Sequence, residues 1–229
     1  MKGAIALLCA APALAGLRGC DDGITCGPVV ANSLTFDCRF AHPSDTTRDA
    51  VILLHGFPEW SSMWMPLMRE LDAAGYRAAA CNQRGYSPLA APDEVEAYDY
   101  RLLAADVWAI ADSLGFDTFH MVAHDHGAVL GWTLAASDAG ASRILSYSAL
   151  SIPHIDAFSS GLVGDGADPA QQIASQYFSM FMLPDSASLD ADFWYLTLGV
   201  TSSAPLRYGE GFGSAADFQK AMWLSLIHI

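Results

Sequence analysis

The stretch from Phe119 to Trp132, Phe-His-Met-Val-Ala-His-Asp-His-Gly-Ala-Val-Leu-Gly-Trp, constrains this chain more than any other. An apolar strand runs into a very tight turn, and small residues at Ala123, Gly127 and Ala128 let a helix leave that turn at once. This is the small-x-nucleophile-x-small pattern of a nucleophile elbow, a strained turn that lifts one side chain above a sheet. The lifted residue here is Asp125. A carboxylate in that position attacks carbon to form an ester, whereas a serine would point to acyl transfer through its hydroxyl.

The flanking sequence predicts an α/β fold with a mainly parallel sheet. Residues 33–40 alternate as a strand, and His42-Pro43-Ser44-Asp45 makes a turn. Val51-Ile52-Leu53-Leu54 is apolar on both faces, as strands are in a sheet covered by helices on each side. A helix is expected over 66–74, stopped by Gly75, and a strand over 76–81. Leu103, Val107, Ile110 and Leu114 recur at helical spacing over 101–115. A strand over 118–123, a helix over 127–136 and a strand over 144–150 complete the alternation. After Ser151-Ile152-Pro153-His154 the character changes to aromatic-rich segments, with helices expected over 168–182, 188–198 and 215–226. They read as a helical cap over 155–223, inserted above a core over 33–154.

With 229 residues, 52% of them hydrophobic, the chain can bury one large core. Its 25 acidic residues against 11 basic ones give a formal charge of −14, and no Lys/Arg cluster is present to track a phosphate backbone. Nucleic acid is therefore excluded as the expected partner. Met1-Lys2 precedes an apolar run to Leu17 containing Ala13-Leu14-Ala15 before Gly16, the signature of a secretory leader over 1–15. The competing readings are a buried N-terminal helix and a lipid anchor on Cys20, the latter disfavoured by Arg18. The run is too short to span a membrane, and no other segment approaches that length.

Export would remove Cys9 and leave Cys20, Cys26, Cys38 and Cys81, an even number that allows disulfides. Cys20 and Cys26 flank a short loop and are the favoured pair; Cys38 and Cys81 fit a disulfide and free buried thiols equally well. No Cys-x-x-Cys pair or His/Cys cluster has metal-ligand spacing, and no metal or cofactor is expected.

A second motif, His55-Gly56-Phe57-Pro58-Glu59, follows the apolar strand directly. The backbone N–H groups of Phe57 in this loop and of His126 after the nucleophile can converge on one developing oxyanion. Together with Gln83-Arg84-Gly85-Tyr86-Ser87-Pro88, His124-Asp125-His126-Gly127-Ala128 and Ser151-Ile152-Pro153-His154, these residues resemble the α/β-hydrolase superfamily and, within it, the epoxide-hydrolase-like branch. The resemblance covers 33–184. It implies that Asp125 is the nucleophile, that the segment after His154 is the cap, and that the substrate is a small apolar epoxide. Cap tyrosines of such enzymes bind and protonate the epoxide oxygen, and Gln176-Tyr177-Phe178-Ser179 resembles the segment carrying the first of them. That nominates Tyr177, against the alternative that it packs the cap helix among Phe178, Phe181 and Met182. One departure is clear: Trp usually stands where this chain has His126.

The superfamily order of nucleophile, acid and histidine puts the last two on loops after later strands. The sequence reads as stopping inside the cap, with those strands missing and Leu224–Ile229 a non-native tail, so no residue is nominated as the base or its acid partner. His55 is expected to hold its loop, and His124 and His126 to be structural or pocket-lining. Two rivals stand beside the epoxide reading. Haloalkane dehalogenases form the same ester but usually carry Asn in place of Phe57 and Trp in place of His126, and fluoroacetate dehalogenases place Arg after the aspartate; this chain has none of these. The other rival is a non-catalytic protein of the same fold that binds a ligand or partner.

Overall fold

The computed structural model describes Cys20, residues 23–176 and Phe178. The leader expected over 1–15, Tyr177, the helices expected over 188–198 and 215–226 and the tail expected over 224–229 lie outside the described residues. Six strands form one sheet: β1 (Ile24–Ala31), β2 (Leu34–Ala41), β3 (Ala50–Leu54), β4 (Arg77–Cys81), β5 (Phe119–His124) and β6 (Ile144–Leu150), in the order β1-β2-β4-β3-β5-β6. β4, β3, β5 and β6 run parallel, and β1 and β2 add an antiparallel edge. The sequence reading missed β1. Its partner β2 was expected from residue 33, but Asn32 and Ser33 both take positive φ, 47° and 63°, and make the tight turn of a hairpin.

The alternation of β3 divides the core. Val51 and Leu53 meet α1 (Met65–Ala73) through Met68 and Trp64, while Ile52 and Leu54 share the opposite face with α2 (Tyr100–Ser113) and α3 (His126–Ala135). Leu103, Val107 and Ile110 of α2 and Leu130 and Leu134 of α3 are buried there. Each such Leu or Val, fully buried, contributes roughly 1.5–3 kcal/mol. α2 starts at Asp99, whose carboxylate accepts the Arg101 N–H at 2.9 Å.

α4 (Asp138–Arg143) and α5 (Ile155–Leu162) were not expected as separate helices, because each is too short to show a periodic stripe, whereas α6 (Pro169–Ala174) falls at the start of the helix expected over 168–182. The helix expected from 168 appears as α6, capped by Asp168 through the Ala170 N–H at 2.8 Å.

Cys20 pairs with Cys26, the favoured pair, and Cys38 pairs with Cys81. The second bridge crosses the facing residues of β2 and β4, which settles the alternative left open for these two cysteines. Its 43-residue separation makes it worth about 4 kcal/mol in a chain-entropy account. A buried ion pair also stitches the fold. Arg84 donates through Nε to Asp106 Oδ2 and through Nη2 to Asp106 Oδ1, both at 2.7 Å, and Asn32 donates to the same carboxylate at 2.9 Å.

Candidate active site

β3 feeds a crossover to β4 on one side, and β5 feeds a crossover to β6 on the other. The two chains therefore part at the carboxyl ends of β3 and β5, and such a parting opens the crevice in which open α/β sheets bind ligands. The loop His55–Glu59 and the elbow at Asp125 occupy that point.

Asp125 has φ 51° and ψ −123°, a conformation outside the ordinary range for a residue with a side chain. The surroundings hold it there. Its N–H donates to Leu150 O at 3.2 Å, and its carbonyl accepts the N–H groups of Ala128 and Val129 at 2.8 and 3.1 Å, which starts α3. Glycine is required on both sides. A Cβ on Gly56 would sit 2.5 Å from Asp125 Cβ, and one on Gly127 would collide with the carbonyl oxygens of His55 and Leu54. The small residues of the elbow pattern thus let α3 and the loop after β3 close on the lifted carboxylate.

The Phe57 N–H donates to Asp125 Oδ1 at 3.0 Å. His126 is the first residue of α3, so its N–H belongs to the helix turn that has no intrahelical acceptor. Both backbone groups nominated for an oxyanion therefore lie at Asp125, one already on its carboxylate and the other beginning the helix beside it.

His55 is fully buried and ties two loops together. Its Nε2 accepts the Gln83 N–H at 3.0 Å, which leaves the proton on Nδ1 to be donated to Gly56 O at 3.0 Å. Gln83 returns a bond from its side chain to His55 O at 2.6 Å. Burial, opposed by the Gly56 bond and aided by His126 and Arg39, pushes the His55 pKa down to about 3. The ring is a neutral strut between the motif at 55–59 and that at 83–88. Nearby, Ser61 donates through N and Oγ to Asn82 Oδ1 at 2.9 and 2.6 Å, joining the same two loops.

His124, on the strand before Asp125, pairs through Nδ1 with Glu59 Oε2 at 2.9 Å. The sequence placed His124 only as structural or pocket-lining; its partner lies 65 residues away, and no spacing announces it. His126 is buried beside Asp125, and burial lowers its pKa to about 4 against the opposing pull of the Asp125 charge. His154 caps α5 and lies edge-on to Trp132 at 5.0 Å. His120 bonds Ser146 Oγ at 2.7 Å and His42 bonds Asp72 at 2.7 Å, both remote from the elbow.

A further residue that the sequence reading passed over is Tyr100, at the start of α2. Its ring lies 5.6 Å from that of His126, and burial, with Asp125 and Tyr86 adding to it, holds its phenol well above the usual range. A usable signal was present. Tyr100 continues the 103–107–110 stripe backwards by three residues, and the first turn of a crossover helix lies at the carboxyl end of a parallel sheet.

Among the described residues no group of three or more His, Cys, Asp or Glu could hold a metal ion, and no helix is long and apolar enough to cross a membrane. One cavity among the described residues lies between the sheet and α2, lined by Phe36, Leu54, Leu103 and Val107 among others, and Asp125 is not on its wall.

Comparison with known proteins agrees with this geometry. A family model described as the alpha/beta hydrolase fold matches residues 49–201. The chain belongs to that family. Its relatives include Epoxide hydrolase A of Mycobacterium tuberculosis, 41% identical over 115 residues, or 50% of this chain and 35% of that protein. Epoxide hydrolase 4 of Mus musculus is 32% identical over 134 residues, 58% of this chain and 36% of the relative. The matched part thus spans about a third of the length of these curated relatives. Among solved structures, one described as novel epoxide hydrolases in metagenomes from hot environments superposes with a TM-score of 0.70 at 26% identity, covering 89% of this chain and 70% of that one. Within the alpha/beta hydrolases, the relatives it resembles over this stretch include proteins named epoxide hydrolases.

Proposed function

We propose that the chain opens epoxides through an ester on Asp125. The observation that carries the reading is the elbow itself: a carboxylate raised on a left-handed turn, with one oxygen held at 3.0 Å by the Phe57 N–H. The engaged oxygen becomes the ester carbonyl, and the other attacks an epoxide carbon from the side opposite its C–O bond. That bond breaks, and the ring oxygen takes a proton from a tyrosine, for which the resemblance nominates Tyr177. Water then adds to the ester carbonyl carbon. The Phe57 and His126 N–H groups hold the resulting oxyanion, and the Asp125–alkyl oxygen link breaks to release a vicinal diol. The family pattern puts the base that activates this water on a loop after a later strand. The names of the relatives support the epoxide over a halide as the group displaced.

The test is rapid-quench mass spectrometry with a small epoxide. One substrate mass appears on the peptide carrying Asp125, and Asp125→Asn shows none. An adduct on any other residue, or none in the parent chain, would overturn the assignment.

We also infer export. The leader pattern over 1–15 motivates it, and the bridges Cys20–Cys26 and Cys38–Cys81 suit an oxidising compartment.

A further inference from the structure

His126 and Tyr100 both end in polar atoms that are out of water and hydrogen-bonded to nothing among the described residues: His126 Nε2 and Tyr100 Oη. His126 is only 5% exposed. The two rings face each other at 5.6 Å with their planes tilted by 53°, and both feel the charge of Asp125. A buried polar atom left unsatisfied carries the full cost of its lost hydration, so two beside a reacting carboxylate are an expensive arrangement for a packed core. An apolar side chain at either position would fill the same space without that cost. The pair is explained if a ligand completes it.

The chemistry of that ligand follows from the charges. Tyr100 and His126 are both held neutral, and the Asp125 carboxylate stands beside them, so an anionic group would be repelled. A phenol and a neutral imidazole can each donate or accept, which suits a neutral oxygen. We infer that Tyr100 and His126 form a specificity site for a hydroxyl or carbonyl oxygen carried by the substrate close to its epoxide carbon. This rests on the Asp125 ester reading above and narrows it from a plain apolar epoxide to one bearing a polar substituent. A site built to hydrogen-bond a substrate oxygen discriminates against the analogue that lacks it, because its own polar atoms are then left unpaired.

Glycidol and 1,2-epoxybutane test this on the full chain, since they differ by a hydroxyl against a methyl group. The readout is the ratio of their rates of Asp125 labelling, compared between parent and variant so that intrinsic reactivity cancels. Tyr100→Phe is expected to lower the glycidol preference about 10-fold or more, the loss of about one hydrogen bond of 1.4 kcal/mol. His126→Phe, an independent variant should the first not fold, lowers it similarly. A ratio unchanged in both variants would mean that the two atoms hold only an ordered water, and overturns the inference while leaving the ester intact. Labelling of Asp125 by neither epoxide overturns the ester reading and this inference together.

Discussion

Gly56→Ala tests whether the elbow and the loop after β3 are fitted to one another. The added Cβ would lie 2.5 Å from Asp125 Cβ, 2.9 Å from Asp125 Oδ1 and 2.9 Å from His124 O. Carbon atoms in contact prefer about 3.5–4.0 Å, so roughly 1 Å of movement is needed, and the obstructing atoms are backbone or Asp125 itself. Two magnitudes follow. Overpacking costs about 1–3 kcal/mol, offset by about 0.4–1 kcal/mol from the stiffer unfolded chain, for a net loss of order 1–2 kcal/mol. A displacement of about 1 Å at the Phe57 N–H and Asp125 costs on the order of 10²-fold in the attack step. Gly161→Ala is the control: its Cβ would meet only Gln171 Cγ, at an ordinary 3.7 Å, so α5 should gain about 0.5–1 kcal/mol. Urea unfolding and rapid-quench labelling of Asp125 measure both effects. Labelling at the parental rate in Gly56→Ala, with no loss of unfolding free energy, would refute the reasoning.

Two other perturbations reach beyond the elbow. His55 and His126, with folded pKa values of about 3 and about 4, lie below the unfolded value of 6.5. As pH falls through about 6.5 the unfolded chain binds these protons and the folded chain does not, so stability is complete above about pH 7 and drains away down to about pH 4 for His126 and about pH 3 for His55. Each histidine contributes up to about 1.4 kcal/mol per pH unit in that window. His126→Gln should remove its share of the slope in urea titrations from pH 7 to 4.5; parallel slopes for variant and parent would contradict it. Export predicts a mature N-terminus near Gly16, and N-terminal sequencing of the secreted protein that finds Met1 retained would refute it.

What the sequence disclosed and what it hid divide along one physical line. Features set by local periodicity were legible: the apolar β3, the stripe of α2, and the small residues around Asp125 that the close approach of Leu54, His55 and Gly56 demands. Features set by contacts across the sheet were not. Glu59 meets His124 and Gln83 meets His55 because β3, β4 and β5 end side by side, and Cys38 faces Cys81 because β2 pairs with β4; no spacing along the chain encodes these meetings. β1 escaped for a related reason: with burial alternating irregularly and Pro28 inside it, it reads as a loop until its hairpin partner β2 is in place. The carboxyl edge of a parallel sheet is where such hidden contacts gather. Every crossover returns its helix from that edge, so the first turn of α2 delivers Tyr100 to the same crevice that the turn after β5 gives Asp125 and His126. A titratable residue in the first turn of a crossover helix, standing on the helix's own apolar stripe, is thus better placed to touch a ligand than the same residue anywhere further along it. Leu103 and Val107, one and two turns on, are buried in the apolar core instead.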